Sequence, residues 1–99
     1  MTPQQTTVAY TARDLAAADE NQRLIDAVFA ELAEVQPAGL TYRVSRSEDG
    51  LDFTHVAVIE NEPNPLLALA SFQAFSSTVS ERIVGPPVVR TGEVVARFD

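Results

Sequence analysis

Residues 40–60 read LTYRVSRSEDGLDFTHVAVIE. Leu40, Tyr42 and Val44 alternate with Thr41, Arg43 and Ser45. This is the period of two that a strand imposes, because successive side chains point to opposite faces. The triplet EDG at 48–50 is a turn signal. After it, over 52–60, Phe53, His55, Ala57 and Ile59 form one row, and Thr54, Val56 and Val58 form the other. Strand, turn and strand make a β-hairpin, and the rest of the chain arranges itself around it.

Upstream of the hairpin, Leu24, Ile25, Val28, Phe29, Leu32 and Val35 recur at steps of three and four. That spacing is one apolar stripe of an amphipathic helix over 19–36, ended by Pro37 and Gly39. Asp14 is a candidate cap for it, with Asp19 as the alternative if the helix starts later. Before the cap, TTVAYTAR at 6–13 reads as a strand that puts Val8, Tyr10 and Ala12 on one face. Downstream, NEPNP at 61–65 is a loop with two prolines. A second helix is predicted over about 66–84, with Phe72, Phe75, Val79 and Ile83 as its buried stripe and GPP at 85–87 as its stop. VVRTGEVVARF at 88–98 is the last strand, with Gly92 a candidate bulge.

The order β-α-β-β-α-β is the ferredoxin-like split βαβ arrangement. The fold class expected is therefore α+β: one domain over 1–99, in which two helices cover one face of a four-stranded antiparallel sheet. The other face has no cover from this chain. On the last two strands both rows carry apolar groups, with Val94, Ala96 and Phe98 set against Val89, Thr91 and Val95. A chain of 99 residues also buries only about two-thirds of its unfolded surface. A second copy is the economical cover, and a homodimer is expected.

Composition excludes several functions. Fourteen acidic residues against seven basic ones give a net charge of −7, and the basic residues are scattered arginines. A polyanion is repelled on average, so no nucleic-acid partner is expected. The absence of cysteine removes disulfides, thiolate chemistry and Cys-type metal sites. MTPQQTTVAYTAR carries neither a basic nor an apolar leader region, and no apolar run approaches membrane-spanning length. A soluble cytoplasmic protein with no membrane partner is expected.

The stretch LAEVQPAGLTYRVSRSEDGLDFTHVAVIE and the later LASFQAF carry a family resemblance. Over residues 6–98 the chain resembles the dimeric α+β barrel superfamily, and within it the antibiotic-biosynthesis-monooxygenase-type domains. The shared pattern is a Pro-Gly helix stop leading into a strand, a turn, a third strand and a helix with paired phenylalanines. The resemblance implies a homodimer whose sheets pack into a barrel, and a pocket between helices and sheet in each subunit. It implies cofactor-independent oxygenase chemistry on an aromatic or polyketide-like substrate, with no cofactor and no metal. The alternative is a dimeric binding module that keeps the fold without the chemistry. Haem-degrading members resemble one another in a second-helix histidine; here that helix reads LLALASFQAF, and the chain has no tryptophan. Haem degradation is therefore not expected, and a quinone-forming Asn/Trp/Tyr pocket would be incomplete. Asn61 and Asn64 read as turn formers.

His55, the one histidine, is the candidate catalytic group because imidazole is the natural proton carrier near neutral pH. The competing reading is a hydrogen-bonded core residue. Tyr10, Tyr42, Phe53, Phe72 and Phe75 are the candidate pocket lining, with structural use of the two hydroxyls as the plainer reading. Arg43, Arg46, Arg90 and Arg97 read as solvated edges or partners of Glu60 and Glu93, and no buried arginine is assigned. Other βαββαβ families fit less well: DFTHVAVIE is not an RNA-binding strand, ARDLAAADE is not a phosphate loop, and the CxxC of metal carriers is missing.

Overall fold

A computed structural model describes residues 2–98. Of the range 1–99 expected as one domain, Met1 and Asp99 lie outside the described residues. The elements are β1 (Gln4–Thr11), α1 (Leu15–Val35), β2 (Leu40–Arg46), β3 (Asp52–Ile59), α2 (Ala70–Thr78) and β4 (Val88–Glu93). They form a four-stranded antiparallel sheet in the order β2-β3-β1-β4. This is the ferredoxin-like α+β architecture, with the hairpin read from residues 40–60 forming one half of the sheet.

Asp14 begins α1: its carboxylate accepts from the backbone N–H of Ala17, one of the first-turn donors that have no partner inside the helix. Asp19 lies inside the helix and pairs instead with Arg46. Gln36 takes a left-handed conformation at the other end and returns its N–H to the carbonyl of Leu32. The core lies between the helices and one sheet face, around Tyr10, Ala18, Ile25, Val28, Phe53, Ala57, Leu66, Leu69 and Phe75.

Several boundaries differ from the sequence reading: α1 runs over Leu15–Val35 rather than 19–36, since Asp14 and not Asp19 caps it. The single helix expected over 66–84 is three pieces: a 3₁₀ turn at Pro65–Ala68, α2, and a second 3₁₀ turn at Val79–Glu81. Asn64 caps the first turn, and Leu69 breaks the run by adopting an extended backbone that sends its side chain into the core. Past the middle of α2, the hydroxyls of Ser76, Ser77 and Thr78 bond back to the carbonyls of Gln73 and Ala74, which competes with helix continuation. The last strand ends at Glu93 rather than 98, because its partner β1 begins at Gln4, opposite Glu93. Among the described residues one further backbone bond, Val94 N–H to Pro3 C=O, extends the pairing. Gly92 sits in regular register opposite Gln5 and is not a bulge. The first strand runs over 4–11 rather than 6–13, with Ala12 in an isolated bridge to Ile83.

Candidate functional site

Strand register brings the site together. His55 on β3 stands opposite Val8 on β1 and Val44 on β2. Tyr10 is opposite Phe53, two residues before His55, and Tyr42 is opposite Ala57, two residues after it. The tyrosines are thus diagonal neighbours of the imidazole from two different strands, one on each side, within reach of long side chains. The Tyr10 hydroxyl lies 2.6 Å from His55 Nε2, and the Tyr42 hydroxyl 2.7 Å from Nδ1. Both ring nitrogens are occupied. Phe75 of α2 closes over the ring at a centroid distance of 5.4 Å.

The network continues into the core. The Asn21 side-chain amide donates to the Tyr10 oxygen at 2.8 Å, and Arg82 Nε donates to Asn21 Oδ1 at 2.9 Å. Arg82 also donates to Thr78 Oγ1 and to the carbonyl of Phe75, and its guanidinium lies 5.3 Å from the Phe75 ring centroid. The Arg82 backbone is pinned to the end of β1: its carbonyl accepts from Arg13 N–H, and Val84 N–H bonds to Thr11. Among the described residues no buried side-chain nitrogen or oxygen lacks a partner.

Burial sets the protonation states. His55 is 6% exposed, and desolvation pushes its pKa down to about 4, so the ring is neutral at physiological pH. Burial raises Tyr10 to about 12 against the opposing hydrogen bond from Asn21, and burial raises Tyr42 as well. Both phenols stay protonated.

Beside this network lies a cavity of about 220 Å³. Val8, Ala57, Leu66 and Val79 supply much of its apolar wall, and Phe72 and Phe75 roof it. Tyr10, Tyr42 and His55 form its polar corner, and Asn64 and Ser76 also reach it. Of the six residues singled out from sequence, five line the cavity. Phe53 does not: it is fully buried behind Tyr10, stacked on that ring at 5.6 Å with the Arg46 guanidinium over its face.

Asn21 and Arg82 were not singled out from the sequence, and Arg82 is the buried arginine that reading did not locate. A signal for each was present. Asn21 continues the stripe of Ile25, Val28 and Leu32 at helical steps, and Arg82 continues Phe75 and Val79. A polar residue on an apolar stripe is a buried polar group that needs a partner. Among the described residues no group of three or more His, Asp or Glu side chains is placed to hold a metal ion. Among the described residues no helix is long and apolar enough to cross a membrane.

No protein-family profile matches the chain, and no curated protein matches it in sequence. Solved structures do match. PA3566 from Pseudomonas aeruginosa superposes with a TM-score of 0.75 at 17% identity, over 97% of this chain and 97% of that one. A candidate antibiotic biosynthesis monooxygenase from Caulobacter crescentus gives 0.74 at 16% identity, over 96% of this chain and 92% of the other. A protein described as dimeric and ferredoxin-like, from an uncultured marine organism, gives 0.67 at 11% identity, over 100% and 93%. At such identities the likeness establishes the fold. The chain has the ferredoxin-like fold seen in antibiotic-biosynthesis-monooxygenase-like proteins.

Proposed function

We propose that this protein is a cytoplasmic homodimer that binds a small apolar or aromatic molecule in the cavity beside His55, as a cofactor-independent enzyme of the oxygenase type. One observation carries the proposal: an apolar cavity of about 220 Å³ meets the Tyr10–His55–Tyr42 cluster at one corner. Cavities of about 150 Å³ already accept benzene. An apolar enclosure with a few convergent polar groups is the general form of a ligand site. His55 is the proton-handling group in this reading, and the substrate's own electron-rich carbanion supplies the electrons to dioxygen. The fold shared with candidate monooxygenases supports the chemistry, and the dimeric neighbour supports the assembly.

A second reading is favoured by a specific feature. His55 is neutral, almost wholly buried and bonded at both nitrogens, so neither ring nitrogen is open to a substrate. That is what a binding module without catalysis would show.

Titration with 1-naphthol, followed by tyrosine fluorescence, tests the site. Saturable binding is expected, and it should vanish in Val79→Trp, where an indole fills the cavity. Failure of 1-naphthol to bind, or equal binding to Val79→Trp, would overturn the cavity as the site. Dioxygen uptake with the bound phenol, lost in His55→Ala, distinguishes the enzyme. Binding without uptake leaves the module.

A further inference from the structure

The hydrogen bonds from Arg82 to Tyr42 have a direction, and one residue type sets it. A guanidinium can only donate. Arg82 Nε therefore fixes Asn21 with Oδ1 toward the arginine and the amide Nδ2 toward Tyr10. The Tyr10 oxygen accepts from that amide, which leaves the Tyr10 proton for His55 Nε2 at 2.6 Å. Nε2 is then the bare, accepting nitrogen of the neutral ring, and Nδ1 carries the hydrogen. Nδ1–H donates to the Tyr42 oxygen at 2.7 Å. The opposite arrangement would strand the Tyr10 proton in the core, where that residue is 7% exposed. In the arrangement set by Arg82, the proton left over is on Tyr42, the half-buried member whose ring lines the cavity.

We propose that Arg82 and Asn21 are positioning residues that hold His55 as its Nδ1–H tautomer and thereby leave the Tyr42 hydroxyl proton for a ligand oxygen in the cavity. Five groups act in line: a permanent cation at the buried end, an amide, a phenol, an imidazole and a second phenol. Each donates toward the cavity. A chain oriented this way strengthens the final donor, because each bond polarises the next. The ligand class that follows is an apolar molecule with an acceptor oxygen, a carbonyl or a phenolate. A ligand that could offer only a donor would meet no open acceptor at this corner. The ligand side of the proposal rests on the cavity being the binding site; the tautomer side does not.

Asn21→Asp tests the direction, because it reverses the chain while keeping the partner of Arg82. A carboxylate accepts on both sides. Tyr10 would then donate to Asp, accept from Nε2–H, and leave Nδ1 to accept from Tyr42. The readout is the nitrogen-15 spectrum of labelled His55, in which protonated and bare ring nitrogens resonate far apart; with one histidine the signals need no assignment. Nδ1–H in the wild type and Nε2–H in Asn21→Asp are expected. An Nε2–H wild type overturns the proposal whether or not the variant folds. An unchanged Nδ1–H tautomer in folded Asn21→Asp overturns the role of Asn21. Should that variant not fold, Arg82→Met is expected to give mixed tautomers, and a single Nδ1–H signal there overturns the role of Arg82. For the ligand side the probe is 1-tetralone, an acceptor only. Its affinity is expected to fall about tenfold in Asn21→Asp, the worth of one good hydrogen bond. Equal affinity in both proteins would overturn that side. Binding to neither would overturn the cavity reading and leave the tautomer result standing.

Discussion

β3 and β4 belong to one sheet and meet opposite fates. β3 lies between β2 and β1 with Phe53, His55, Ala57 and Val58 buried, whereas all six residues of β4 are exposed. β4 is an edge strand, paired with β1 on one side and, among the described residues, with no strand on the other. Its exposed valines, Val88 and Val89, continue into Val95 and Phe98, and Val84 precedes them. Val89 stands opposite Val8, which in turn stands opposite His55, so the bare strand lies in the same row as the site. β3, paired on both sides and rich in apolar residues, supplies the core, whereas β4, paired on one side with two valines, does not. β4 is exposed surface in the subunit described, and in the homodimer proposed above it is available to the partner.

The sharpest break of this contrast is Phe53→Ala. Phe53 is fully buried and stacks on Tyr10, so the variant is expected to lose about 3–5 kcal/mol, read from urea unfolding. Acid comes next. The pKa of His55 falls from 6.5 to about 4 on folding, so the native state binds fewer protons than the unfolded chain between those values. Stability is then full above the unfolded pKa and declines as pH drops from about 6.5 to 4, by about 3 kcal/mol in all. His55→Phe should flatten that window. Carboxylates with lowered pKa values, such as Glu31 and Asp49, lose their contribution as pH falls from their ordinary values of 4.5 and 3.8, at and below the acid end of that window.

β4 should answer differently. Val89→Asp is expected to change the stability of the isolated subunit by no more than about 0.5 kcal/mol while halving the mass seen by light scattering. A variant that stayed dimeric would move the interface elsewhere. The smallest effect is Gly92→Ala. A Cβ at Gly92 meets nothing within 4 Å and its φ is not positive, so the variant is expected to gain about 0.5 kcal/mol. A loss would show that something packs against this strand in solution.

The sequence made the element order legible because each element has its own period and its own punctuation. Strand ends were less so: where β4 stops depends on where β1 starts, which no local pattern carries. The helix break at Leu69 had no breaker residue of its own; it follows from the pull of a leucine into the core. At the site, alternation placed Tyr10, Tyr42 and His55 on inward rows, but their meeting required the register that sets Tyr10 before and Tyr42 after the imidazole. Asn21 and Arg82 are 61 residues apart, and neither reads as buried without the other. Paired polar burial is a tertiary property, visible in sequence only as an interruption of an apolar stripe.

The roof of the cavity is a helix that does not start itself. Leu69 at the head of α2 offers no capping side chain, and nine residues are too few for a helix to persist alone in water. Its first turn is held from outside: Glu31 of α1 accepts from both the backbone N–H and the hydroxyl of Ser71, and those two donors hold its carboxyl below the usual range. The latch at Ser71 sits next to Phe72 and four residues before Phe75, the two rings of the roof. Glu31 therefore ties the roof of the cavity to α1. The stability of that roof is a property of α1 as much as of α2 itself.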